Sequence, residues 1–119
     1  MNKRIKKQWT TELRSEWIQG EGQLMDGDDR ACCLGVLCDI AIREGIIKPW
    51  KYDANDGNWK VDGSYVDLPI AVMKWARLES SDPVINGINL SKHNDGYTAE
   101  EIISPKSFEE IANLIDDNL

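Results

Sequence analysis

A chain of 119 residues, 41% hydrophobic and 29% charged, has room for one domain, residues 1–119, and none for a second core; this composition argues against disorder. The longest apolar run, Ala31 to Ile42, is interrupted by Asp39 and falls short of the roughly 18–20 residues that cross a bilayer. The charge of −7 is uneven: residues 1–14 hold five basic groups against Glu12, so the other 105 hold 9 basic and 20 acidic groups, a net of −11 that should repel duplex nucleic acid.

The basic start, Met1 to Lys7, is followed by no apolar stretch, so no secretory signal is read there. Three cysteines, two of them adjacent at Cys32 and Cys33, suit a reducing compartment better than a disulfide framework. The expected location is a bacterial cytoplasm, with no membrane partner. The acidity could itself mimic nucleic acid. However, Asp-Gly at 26–27, 56–57, 62–63 and 95–96 gives much of it a plainer role in turns.

Ile5, Trp9, Leu13 and Trp17 recur every fourth residue and predict an amphipathic helix over 3–17, ended by Gly20 and Gly22. Gln19 to Met25 reads as extended and Asp26 to Asp29 as a turn. Residues 31–44 are apolar on nearly every side, which predicts a buried central helix stopped at Gly45. Gly35 inside it costs about 1 kcal/mol against alanine and marks a close approach by another backbone.

From Pro49 to Val66, aromatic and polar residues alternate around Asp-Gly turns, which predicts a small antiparallel meander. Asp67 is read as the cap of a helix through Leu68-Pro69 to about Arg77, with Ile70, Met73 and Trp75 as its apolar members. Pro83 to Leu90 is read as extended, and Ser91 as opening a single turn. Ser107 and Glu110 form a capping box for a last helix carrying Phe108, Ile111, Ala112, Leu114 and Ile115. The fold class is α+β: about three helices with a small antiparallel sheet.

No metal or cofactor is expected. The cysteines lack C-x-x-C spacing, His93 is far from them in sequence, and the acidic runs 26–29 and 53–57 match a calcium loop only briefly. Neither phosphate-cradling glycine motif is present. Cys32 or Cys33 at a helix N-terminus, with His93 as base and Asn94 or Asp95 as orienter, would follow papain-like logic. Burial of both cysteines in the core is the competing reading. Asp39, among apolar neighbours, must face water or be hydrogen-bonded; it either ties down a loop or accepts from a ligand.

Trp9, Trp17 and Trp75 have helical partners and read as core. Trp50, Tyr52, Trp59 and Tyr65 cluster in the meander, either packed on the hydrophobic helix or offered as a stacking platform for a planar ligand. Arg14, Arg30 or Lys92 could supply a phosphate contact.

Three segments in order carry a resemblance. Gln19-Gly20-Glu21-Gly22 precedes Cys32-Cys33-Leu34-Gly35-Val36-Leu37-Cys38-Asp39-Ile40-Ala41. Leu68-Pro69 and Val72-x-x-Trp75-Ala76-x-Leu78 follow. Leu90-Ser91, Asn94-Asp95-Gly96 and Ser107-Phe108-x-Glu110-Ile111-Ala112-x-x-Ile115 complete it. This pattern resembles a family of small proteins of tailed bacteriophages and prophages, from which Tyr97 to Lys106 departs as an insertion. That family's pattern requires no histidine before Asn-Asp. The resemblance implies a phage accessory protein and transfers no activity.

The function expected is non-catalytic: a counter-defence protein that sequesters a small nucleotide-like signal. Its candidate ligand-binding residues are Gln19, Arg30, Asp39, Trp50, Tyr52, Trp59, Asn94 and Asp95. The alternatives are an acidic inhibitor of a host defence protein and a cysteine hydrolase built on Cys32, Cys33, His93 and Asp95. Self-association into a homo-oligomer is also among the expected contacts.

Overall fold

A computed structural model of the chain describes residues 1–96 and 102–119. Among them the elements run α1 (Lys3–Leu13), α2 (Cys33–Arg43), β1 (Lys51–Asp53), β2 (Asn58–Lys60), α3 (Ile70–Ala76), β3 (Val84–Ile85), β4 (Ile88–Asn89), α4 (Leu90–Asp95) and α5 (Phe108–Asn118). This is an α+β domain with two antiparallel two-stranded sheets, β1–β2 and β3–β4. Half of the Tyr97–Lys106 stretch, residues 97–101, lies outside the described residues.

α2 is the centre of the domain. Leu34, Val36, Leu37, Cys38, Ile40 and Ala41 are all buried, with α1 and α4 packed around them. It begins at Cys33 rather than Ala31, because Ala31 is held in bridges to Gln19 and Met25 by the chain wrapping past it. A Cβ on Gly35 would lie 1.8 Å from the Leu24 carbonyl oxygen. The glycine is thus the seat of the expected backbone approach.

α1 is capped by Asn2, whose side chain accepts the Ile5 N–H, and it buries Ile5, Trp9 and Leu13. The helix stops four residues short of Trp17. The Ser15 hydroxyl and N–H both return to the Glu12 carbonyl, an alternative to the next helical hydrogen bond. Trp17 then folds back and donates to the Glu12 carboxylate at 3.1 Å. α5 begins at the expected capping box, with Ser107 accepting from Glu110 N at 3.2 Å and Glu110 accepting from Ser107 N at 3.1 Å. It packs against α1.

The meander shrinks to one hairpin. Tyr52 pairs with Trp59 and Lys51 with Lys60, and beyond them only a Val61–Ser64 bridge closes over Asp62 (φ 48°) and Gly63 (φ 78°). Chain 65–66 is diverted because the Leu24 N–H takes the Tyr65 carbonyl at 2.7 Å.

α3 also departs from expectation. It starts after Pro69, and Asp67 does not cap it, since the Leu68 N–H is turned away to Ser81 O. Its buried members are Val72 and Ala76, while Ile70 is 65% exposed; on so short a helix one four-residue pair covers the core.

The segment read as extended after Pro83 is a hairpin turning on Asn86 (φ 55°) and Gly87 (φ 78°), the Asn-Gly pairing that favours such turns. α4 replaces a single turn: the Asp82 carboxylate accepts both the N–H and the hydroxyl of Ser91 and so starts the helix from outside. Among the described residues no helix is long and apolar enough to cross a membrane.

Candidate functional site

The structure divides the candidate residues between several places. Gln19, Asn94 and Asp95 meet at the N-terminus of α2. Asn94 is fully buried, and its Oδ1 accepts from Cys33 N at 3.2 Å and Gln19 Nε2 at 3.0 Å. Its Nδ2 donates to Gly20 O at 2.8 Å and Asp95 Oδ1 at 3.0 Å. Gln19 Nε2 also donates to Lys106 O, and Asp95 Oδ1 accepts the Gly22 N–H at 3.1 Å. These groups are spent on one another and on backbone, so their geometry is that of a structural clamp.

The cysteines lie in the same region. Cys32 is the residue before the helix and Cys33 its first member, so the expected placement at a helix N-terminus is met. Burial pushes the Cys32 thiol up to about 12, against the opposing pull of the Gly35 and Leu34 N–H groups. Burial likewise raises the Cys33 and Cys38 thiols, with the neighbouring Cys32 adding to both shifts. Desolvation of the thiolate outweighs the favourable helix terminus.

His93 is buried too. Its Nε2 stands 2.9 Å from the Ile85 carbonyl, and its Nδ1 has no hydrogen-bond partner among the described residues. A carbonyl only accepts, so the proton sits on Nε2, and neither ring nitrogen is hydrogen-bonded to a thiol. This arrangement supplies no Cys–His ion pair.

Asp39 is partly exposed. It pairs with Arg43 at 3.2 Å and accepts from Trp50 Nε1 at 3.4 Å. Arg43 in turn reaches Glu12, the acceptor of Trp17. The carboxylate therefore ties the chain before β1 to α2, and Trp50 packs against the core with its N–H committed. Arg30 folds over its own loop onto Asp26 at 2.8 Å and Asp28 at 3.4 Å. Arg14 is held by Asn113 and Asp116 of α5.

The remaining candidates lie at the β1–β2 hairpin. Tyr52 and Trp59 face each other across it with ring centroids 5.4 Å apart and planes tilted by 56°. Trp59 is half-buried against the core, with its indole toward Gly27, whereas Tyr52 is 50% exposed. Tyr52 borders a cleft of about 550 Å³ lined also by Lys48, Lys51, Asn55, Lys60 and Asp62. Trp50 and Trp59 do not line it; the Tyr52 ring lies against Trp59 with its hydroxyl toward Gly57, on the hairpin face opposite Lys51 and Lys60.

Three lysines in one cleft stand out in so acidic a chain. Lys60 is held by Asp53 at 3.0 Å and by Asp56, and lies 5.6 Å from the Tyr65 ring centroid. Lys48 and Lys51 form no ion pair among the described residues, and Lys51 stands directly across the hairpin from Lys60. Asp53 and Asp56 already supply the anions beside Lys60, and Lys51 also attracts the Asp53 carboxylate. The sequence reading passed over Lys48, Lys51 and Lys60. Their signal was three cations around the Asp-Gly turns of an otherwise acidic body.

No curated protein and no solved structure matches the chain. A family model does match, over residues 1–119, and the chain belongs to the family described as a domain of unknown function, DUF8296.

Proposed function

We propose that this is a non-catalytic binding protein that takes a small, anionic, nucleotide-like molecule into the cleft beside the β1–β2 hairpin. The observation that carries the reading is the cleft itself, where Lys48 and Lys51, in no ion pair among the described residues, border the same space as Tyr52. Cations without an ion pair are the chemistry that a phosphate requires, and Tyr52 is the one aromatic residue among the described residues that line the cleft. The Cys-Cys-Leu-Gly-Val-Leu-Cys-Asp block, with its likeness to phage proteins, supports a phage origin and a cytoplasmic counter-defence role: sequestering a host signal without turning it over.

The competing idea, an acidic inhibitor of a host protein, draws on the net charge of −7. Several of those acids are already engaged: Asp26 with Arg30, Asp53 and Asp56 with Lys60, Glu12 with Arg43. Native mass spectrometry of protein purified from infected cells tests the choice. The expected result is a retained small molecule, lost from Tyr52→Ala and Lys51→Gln proteins that melt like the parent. A stoichiometric complex with a host protein, and no small molecule, would overturn it.

A further inference from the structure

The charges around the hairpin cleft limit what it can accept. Its lining holds Lys48, Lys51 and Lys60 against Asp53 and Asp62. Lys60 is already clasped by Asp53 and Asp56, so Lys48 and Lys51 are the cations without an ion pair among the described residues. The two acids lie on the same walls as the lysines. From these charges, and resting on the small-molecule reading above, we infer that the cleft selects a planar ligand carrying a single phosphoryl group and rejects its polyphosphate forms.

A phosphate monoester carries about −1.5 to −2 at pH 7, which Lys48 and Lys51 together can meet. Each further phosphoryl group adds negative charge with no lysine left to receive it, and meets Asp62, the lining acid outside the Lys60 ion pairs. The volume agrees with this: about 550 Å³ falls within the roughly 300–1,000 Å³ of small-molecule sites. Asp62 acts here as an excluding residue. It occupies the left-handed region at φ 48°, a conformation that asparagine tolerates well among residues with side chains. Asp62→Asn therefore removes the charge and leaves the turn intact.

The test is calorimetric titration of the full chain, in magnesium-free buffer, with the monophosphates and triphosphates of adenosine, guanosine, cytidine and uridine. At least one monophosphate should bind about tenfold or more tighter than its triphosphate, the scale of an unfavourable charge contact. Asp62→Asn should raise triphosphate affinity more than monophosphate affinity, with an unchanged melting temperature. Lys51→Gln should weaken the monophosphate. A triphosphate that binds as tightly as its monophosphate, or tighter, overturns the selectivity and leaves the binding reading standing. Failure of all eight to bind removes the binding reading itself, and the selectivity with it.

Discussion

The side-chain oxygen of Asn94, near the end of α4, accepts the backbone N–H of Cys33 at the start of α2 from 3.2 Å. It does for α2 what a capping serine or aspartate would do, since Cys32 makes no side-chain cap. The same amide reaches Gly20 and Gln19, so one side chain joins three stretches of chain.

Asn94→Ala would strand the Cys33 N–H and the Gly20 carbonyl. A buried group left unpaired costs about 1–3 kcal/mol. The variant should show a lower urea midpoint with an unchanged slope, the signature of lost stability without a change in compactness. An unaltered midpoint would show that the amide contributes nothing.

Gly35→Ala sets two effects against each other. Helix propensity favours alanine by about 1 kcal/mol, but its Cβ would sit 1.8 Å from the Leu24 carbonyl oxygen. Moving backbone out of a packed site costs about 1–3 kcal/mol or more, so the clash wins. Circular-dichroism melts should show a destabilised protein. A raised melting temperature would mean that the chain at Leu24 yields freely.

The three thiols should be silent in the folded protein. With Cys32 raised to about 12 and Cys33 and Cys38 raised by burial, almost no thiolate exists at pH 8. A thiol-specific chromogenic reagent should label them only at the rate of unfolding, and all three at once in denaturant. Fast labelling of Cys32 or Cys33 in the folded state would instead point to nucleophilic chemistry.

The hairpin should be weakened at both ends of the pH scale. The Asn55 N–H and then Lys60 hold the Asp53 carboxyl below its ordinary 3.8, and Lys60 first does the same for Asp56. Their contribution is present above that value and is lost as pH falls through the lower folded one. Lys60, raised above 10.5 by Asp56 and Asp53, contributes below 10.5 and loses its share as pH rises through its higher folded value. Carboxyl NMR should find the Asp53 and Asp56 midpoints below that of a free aspartate. Lys60→Met should return both toward it.

Much of this fold could be read from the sequence, for identifiable reasons. The Ser107–Glu110 box and the stripe Phe108, Ile111, Ala112, Ile115 are local signals, and the last helix followed them. Gly35 was out of place in an apolar helix, and the Leu24 carbonyl explains it. What failed was decided by distant partners. Nothing near Asp67 announces that the Leu68 N–H will go to Ser81, and nothing near Tyr65 announces the Leu24 N–H that ends the meander. The Asn86-Gly87 hairpin is different, because its turn signal was local and passed over.

The candidate site fared less evenly. Gln19, Asn94 and Asp95 did converge, but onto each other. Trp50 and Trp59 were alike as sequence, yet the Asp39 carboxylate and the core took them inward and left Tyr52 facing solvent. Tyr52 and Trp59 are cross-strand partners on one face of the hairpin, so strand alternation does not distinguish them; their tertiary neighbours do.

The pairing of α1 with α5 has a consequence for the chain as it is made. Some 94 residues separate Leu13 from Phe108, and a ribosome adding roughly 5–20 residues per second takes about 5–20 s to span them. Throughout that interval α1 lacks the helix it packs against. Arg14 likewise waits for Asn113 and Asp116. The apolar stripe Ile5, Trp9 and Leu13 on this waiting helix gains its full cover only when the last helix emerges and closes the domain.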